Sequence, residues 1–125
     1  MHNFFFIRID GRYIRISFSD IIYVEAARNY IKIVTDKKVW LALISLKRIE
    51  QILPSSLFKR IHKSYIVALE KIDEFNNERV YIKNQPLPIG LQYKGILEKS
   101  VLIANGDTHE MDIPSNYFGC QSLLA

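Results

Sequence analysis

From Phe58 to Leu69 the chain reads FKRIHKSYIVAL, and six of the seven residues from 59 to 65 carry groups that bind anions. Lys59, Arg60, His62 and Lys63 hold or can take positive charge, and the hydroxyls of Ser64 and Tyr65 can donate to a phosphate oxygen. No acid interrupts them before Glu70. The chemistry this favours is binding to a polyanion, because nothing beside it resembles a nucleophile or an acid/base pair. If the stretch is one regular strand, Lys59 and Lys63 share one face, while Arg60, His62 and Ser64 share the other. The plain alternative is a charged edge that keeps a strand from pairing with its neighbours.

A second group needs chemistry for a different reason. Glu25 interrupts the apolar run Ile21-Ile22-Tyr23-Val24-Glu25-Ala26-Ala27, and a carboxylate there is costly unless it is paired. Arg60 or His62 is the expected partner, forming a structural ion pair with Glu25 and leaving Lys59 and Lys63 to face outward. Catalysis is not expected. His2, His62 and His109 have no Ser, Cys or paired carboxylate in a recognisable arrangement, and no Gly-rich phosphate loop or zinc-like spacing occurs. No cofactor and no metal are expected.

The elements that must hold these groups are mostly strands. Asn3 to Ile9 and Arg12 to Phe18 flank Asp10-Gly11, a hairpin signal, since Asp-Gly accepts the positive backbone angles of a tight turn. Ile21 to Ala27, Tyr30 to Thr35 and Val39 to Leu43 read as three further strands, with Arg28-Asn29 at a corner and Asp36-Lys37-Lys38 at a turn. At Ser45 the period changes. Leu46, Ile49, Ile52 and Leu53 recur at helical spacing, Ser45 can cap, and Pro54 closes a short amphipathic helix. Lys71 to Phe75 and Arg79 to Lys83 form another hairpin, Pro86 to Gly90 is extended, and Leu91 to Glu98 is expected as a final helix with Leu91, Ile96 and Leu97 inward.

Composition bounds the partner. The 125 residues suit one domain. Residues 1–97 hold sixteen Lys and Arg against nine Asp and Glu, a balance of +7, while residues 98–125 hold Lys99 against four acids, a balance of −3. A basic body favours nucleic acid. A single-strand RNA binder would need exposed aromatics, and here Tyr and Phe follow strand alternation into a core. Cys120 is the sole cysteine, so no internal disulfide forms and a cytoplasmic setting is the default. Phe4-Phe5-Phe6-Ile7 is too short for a signal or a membrane span.

The order of segments is more specific than any one of them. Tyr23-Val24-Glu25-Ala26 with Asn29-Tyr30, the helix from Ser45 to Pro54, Phe58-Lys59-Arg60-Ile61-His62-Lys63-Ser64-Tyr65-Ile66-Val67, and Leu87-Pro88-Ile89-Gly90-Leu91-Gln92-Tyr93-Lys94 follow one another. Together they resemble the LytTR DNA-binding domain, the output domain of LytR/AlgR-type bacterial response regulators, over roughly residues 3–97. The resemblance implies a mainly β fold with short helices, an elongated stack of small antiparallel sheets. It also implies sequence-specific duplex binding by loops in successive major grooves. The contacts carried over by motif position are Arg28, Asn29 and Tyr30, then the His62-Lys63-Ser64 turn, then Gln92 and Lys94, with Lys59 added from the basic stretch. Ala68 stands where the family usually has Asn, Gly90 where it has a small hydroxyl, and Gln92 near a common basic position. The departures at Gly90 and Gln92 motivate the alternative of a degenerate domain serving only protein contacts.

Residues 1–98 are expected to form the DNA-binding domain and residues 99–125 an extension. The implied partners are duplex DNA with repeated sites, a homodimer, and an upstream receiver domain or sensor kinase if the chain is the output half of a longer regulator. No membrane is implied.

Overall fold

Asp10 and Gly11 take left-handed backbone angles, φ 51° and 77°, and close a hairpin between β1 (Phe4–Ile9) and β2 (Arg12–Ser17). The computed structural model describes residues 2–104, 106, 110 and 111. The expected strands follow as β3 (Ile21–Ala27), β4 (Tyr30–Thr35) and β5 (Val39–Ala42). Helix α1 (Leu46–Ile52) comes next, and the Ser45 hydroxyl accepts from the Arg48 N–H at 3.0 Å. Seven residues are too few for a helix to persist alone. Burial of Leu46 and Ile49 therefore holds it in place, at about 1.5–3 kcal/mol for each side chain fully removed from water.

The basic stretch is not one strand. It breaks at Lys63-Ser64 into β6 (Phe58–His62) and β7 (Tyr65–Ala68), an antiparallel hairpin. β8 (Ile72–Phe75), β9 (Arg79–Ile82) and β10 (Gln85–Pro88) form a smaller sheet. β10 carries two prolines because it lies at that sheet's edge, where a missing N–H costs no ladder bond.

The fold is mainly β, built of small antiparallel sheets in layers. The central sheet has the order β5-β4-β3-β7-β6 and is covered on both sides. Phe5, Ile7, Ile16, Leu46 and Ile49 pack with Ile21, Val24, Ile31, Ile33 and Ile66 on one face. Val80, Ile82, Leu87 and Leu97 pack with Ile22, Ile61 and Val67 on the other. Adjacent residues thus point into different cores, as period-two alternation requires. The exceptions fall at register shifts, between Ile21 and Tyr23 in β3 and between Arg60 and His62 in β6. Asp36, at the turn before β5, pairs with Lys83 at 3.1 Å and Lys71 at 3.5 Å. The Lys83 hydrogen bond, then the two lysine charges, hold its carboxyl below the ordinary aspartate value. Not every aromatic enters a core: Phe4, Phe6 and Tyr13 are exposed on the hairpin, with the Arg15 guanidinium 5.6 Å from the Phe4 ring centre.

The final helix departs from expectation. Leu91–Tyr93 forms one 3-10 turn, Lys94 is extended, Gly95 is left-handed at φ 85°, and only then does α2 (Ile96–Ser100) begin. Leu97 is buried and Ile96 partly so, but Leu91 points outward. A continuous helix would need right-handed angles at Lys94 and Gly95, and glycine accepts the other sign freely. Val101, Leu102 and Ile103 join no sheet. His109, Cys120 and most of the Asn105-Gly106-Asp107 turn lie outside the described residues. No helix among the described residues is long and apolar enough to cross a membrane.

A Cβ built on Gly95 meets nothing within 4 Å, so Gly95→Ala changes only backbone cost. The expected loss is about 1–2 kcal/mol in thermal or urea unfolding. An unchanged midpoint would show that the break relaxes freely.

Candidate nucleic-acid interface

Two backbone bonds join three loops into one surface. The Ala26 N–H donates to the Ser64 carbonyl at 2.8 Å, tying the β3–β4 corner to the β6–β7 turn. The Gly90 N–H donates to the Ile61 carbonyl at 2.8 Å, tying that turn to the Leu91–Tyr93 segment. The approach is close: a Cβ on Gly90 would lie 3.2 Å from the Tyr93 ring and 3.5 Å from the His62 ring. The contact to His62 is an ordinary van der Waals distance, and the tighter one is to Tyr93 within the third loop itself.

At the first loop β3 and β4 leave only Arg28 and Asn29 unpaired. Arg28 takes φ 53°, a left-handed angle that costs a non-glycine residue roughly 1–2 kcal/mol. Such strain is a reason to look for function at that point. Asn29, the residue that tolerates this angle better, does not occupy it. Its amide is exposed and has no hydrogen-bond partner among the described residues. Tyr30 opens β4, half-buried, and the three residues line a shallow depression with Leu43 and Ser45.

The second loop is held by a clamp. Arg60 donates from Nη2 to the Lys63 carbonyl at 2.6 Å, from Nε to the His62 carbonyl at 3.3 Å, and from Nη1 to Glu50 at 3.1 Å. From the other side the Ser64 N–H donates to His62 Nδ1 at 3.1 Å. The backbone of Lys63 is thereby fixed, and its ammonium is exposed. At the third loop Gln92 is exposed and shares a depression with His62, Lys63 and Leu91.

The expected Glu25 ion pair does not form. Arg60 registers against Ile66, which faces the core beneath α1, whereas Glu25 registers against Tyr65, which faces the opposite core. The sheet stands between them, so Arg60 reaches Glu50 on α1 instead. His62 lies beyond the register shift, so it no longer shares a face with Arg60, and its ring packs 5.6 Å from Tyr65. Glu25 sits half-buried among Tyr23 and Tyr65, with Lys32 opposite on β4. Burial first, then the Glu25 charge, raises both tyrosine hydroxyls above their ordinary value.

Two expected contacts are set apart from the loop surface. Lys59 lies four residues before the turn on β6, near Ser55, Tyr93 and Ile96. The Lys94 ammonium donates to the Asn77 carbonyl in the β8–β9 turn, which draws it toward the smaller sheet. Glu50 was not anticipated. On sequence it is one of several polar residues on the outer side of α1, and only the fold brings it to Arg60.

The family model described as LytTr DNA-binding domain matches residues 11–101. Among solved structures, a LytTr DNA-binding domain from Bacillus cereus superposes with a TM-score of 0.67 at 21% sequence identity, covering 80% of this chain and 97% of that one. A search among curated proteins finds no match.

The clamp carries a stability expectation. Arg60→Ala removes a charged donor from two carbonyls and should cost about 1.5–3 kcal/mol. Glu50→Ala breaks only a partly exposed pair and should cost less than about 1 kcal/mol. Thermal unfolding of both variants measures the difference; equal losses would mean that the ion pair, and not the turn, depends on Arg60.

Proposed function

The chain belongs to the LytTR DNA-binding domain family, and from that premise we propose that it binds duplex DNA sequence-specifically, as a cytoplasmic regulator of bacterial transcription. Its three loops enter successive major grooves. What carries this reading is the continuity of the three loops, joined through Ala26–Ser64 and Gly90–Ile61. Loops on different sides of the molecule could not serve one duplex. The mainly apolar faces of the central sheet are spent on two cores, so turns are what remain for a partner.

The residues divide by chemistry. Lys63 offers a mobile ammonium on a fixed turn, suited to phosphate, and Arg28 serves phosphate or guanine. Asn29 and Gln92 carry donor and acceptor in one plane, which matches the adenine edge in the major groove. Tyr30 and Ser64 support the two turns and donate to the backbone, and Lys59 and Lys94 supply flanking charge. Arg60 and His62 hold the second loop. The DNA-binding unit is taken as residues 1–98, with 99–125 an extension whose first two residues complete α2. Repeated sites, a homodimer, and a receiver domain or sensor kinase belong to the same proposal for a two-component system.

Binding titrations at several salt concentrations test the division. Lys63→Ala should weaken selected and random duplex alike and reduce the salt slope by about one unit, as one fewer counterion is released. Asn29→Ala should cost about 1–3 kcal/mol on the selected site, little on random duplex, with the slope nearly unchanged. Equal losses on both duplexes for Asn29→Ala would assign it to shaping the corner. A chain that leaves duplex mobility unaffected at low salt would favour a protein-interaction module.

A further inference from the structure

Leu43 and Leu91 are 85% and 88% exposed, the two most exposed large apolar side chains among the described residues before residue 102. Leu43 continues the outward alternation of Val39 and Leu41 one residue past β5, whereas Leu91 is left outside by the break at Gly95. Leu43 lies between β5 and the Ser45 cap, in the depression lined by Arg28, Asn29 and Tyr30. Leu91 opens the third loop, in the depression shared by His62, Lys63 and Gln92. Each therefore stands beside a cation and an amide on the proposed DNA surface. Single exposed leucines are common on proteins, but two that flank the same linked loops share a location that chance exposure does not require.

We infer that Leu43 and Leu91 are specificity-determining residues that contact thymine C5-methyl groups in the major groove. The inference rests on the duplex-binding reading above. Arg28 and Lys63 bring a polyanion to these loops, and within the major groove the thymine methyl is the apolar group a base pair displays. Asn29 and Gln92, suited to adenine, would work beside them, so A·T pairs would be distinguished by amide on one strand and methyl contact on the other. An apolar side chain held in water gains by covering a methyl, and it loses that gain when the methyl is absent.

Replacing thymine by deoxyuridine removes the methyl and leaves base pairing intact. On a duplex selected by the full chain from random sequence, deoxyuridine at a contacted thymine should weaken binding roughly fourfold per methyl. In Leu91→Ala one such thymine should become insensitive, and in Leu43→Ala a different one, with unfolding midpoints unchanged because both side chains lie in solvent. The inference is overturned if the duplex is selected and bound but deoxyuridine has no effect, or if its effect is equal in wild type and both variants. Failure to select any duplex would overturn the DNA-binding reading itself, and this inference with it.

Discussion

A sheet dry on both faces leaves a protein only its turns and edges for work, and that constraint orders this molecule. Ile21, Val24, Ile31, Ile33 and Ile66 face the hairpin and α1, while Ile22, Ile61 and Val67 face the smaller sheet and α2. A charge on either face must be satisfied within its own layer, because the packed backbone blocks passage to the other. Arg60 accordingly meets Glu50 on α1, and Glu25 meets Tyr65. Exposed polar side chains are displaced to the ends of strands, where Arg28, Asn29 and Lys63 emerge. Rigidity of the layers then becomes an asset, since a loop fixed to a two-sided core presents its side chains at a reproducible place.

The second loop shows how such fixing is achieved. A turn between strands leaves carbonyls without ladder partners, and Arg60 supplies donors to two of them while His62 accepts the Ser64 N–H. Guanidinium suits the task because its fork donates in several directions at once, which an ammonium does without fixed geometry. The register shift in β6 is part of the same device: it lets Arg60 and His62 grip the turn from different sides.

Much of the layer structure was legible in the chain. Asp10-Gly11, the alternating Arg12 to Ser17 run and the helical spacing after Ser45 each carry a local signal that tertiary packing had no cause to override. What stayed hidden depended on a single residue or on a distant one. The register shift at His62 has no composition signature, so alternation placed His62 on the face of Arg60, and the register of Arg60 against Ile66, which turns it away from Glu25, is set only by the pairing of β6 with β7. The expected helix from Leu91 to Glu98 runs through Gly95, whose left-handed angle splits the segment and leaves Leu91 outside. At the first loop Asn29 looked like the turn former, and Arg28 took the strained angle instead.

The partition of charge has a consequence for affinity. Sequence gives residues 1–97 a balance of +7, yet several of those cations are committed inside the protein. Arg60 holds Glu50 and the turn, Lys71 and Lys83 share Asp36, and Lys94 donates to the Asn77 carbonyl. Lys38 lies over the Trp40 ring at 4.6 Å, and Arg15 over Phe4. The cations on the joined loops are then Arg28 and Lys63, with Lys59 and Lys94 flanking them. Because each neutralised phosphate contributes about 0.9 to the slope of log affinity against log salt, these proposed contacts would give a smaller dependence than the net charge suggests. In the proposed binding mode a lone domain would gain its discrimination from amide and methyl contacts. Strong occupancy would come from linking copies across repeated sites, where a second binding event acts at an effective concentration set by the tether. Net charge measures attraction to nucleic acid in general, and the fold determines how little of it reaches the groove.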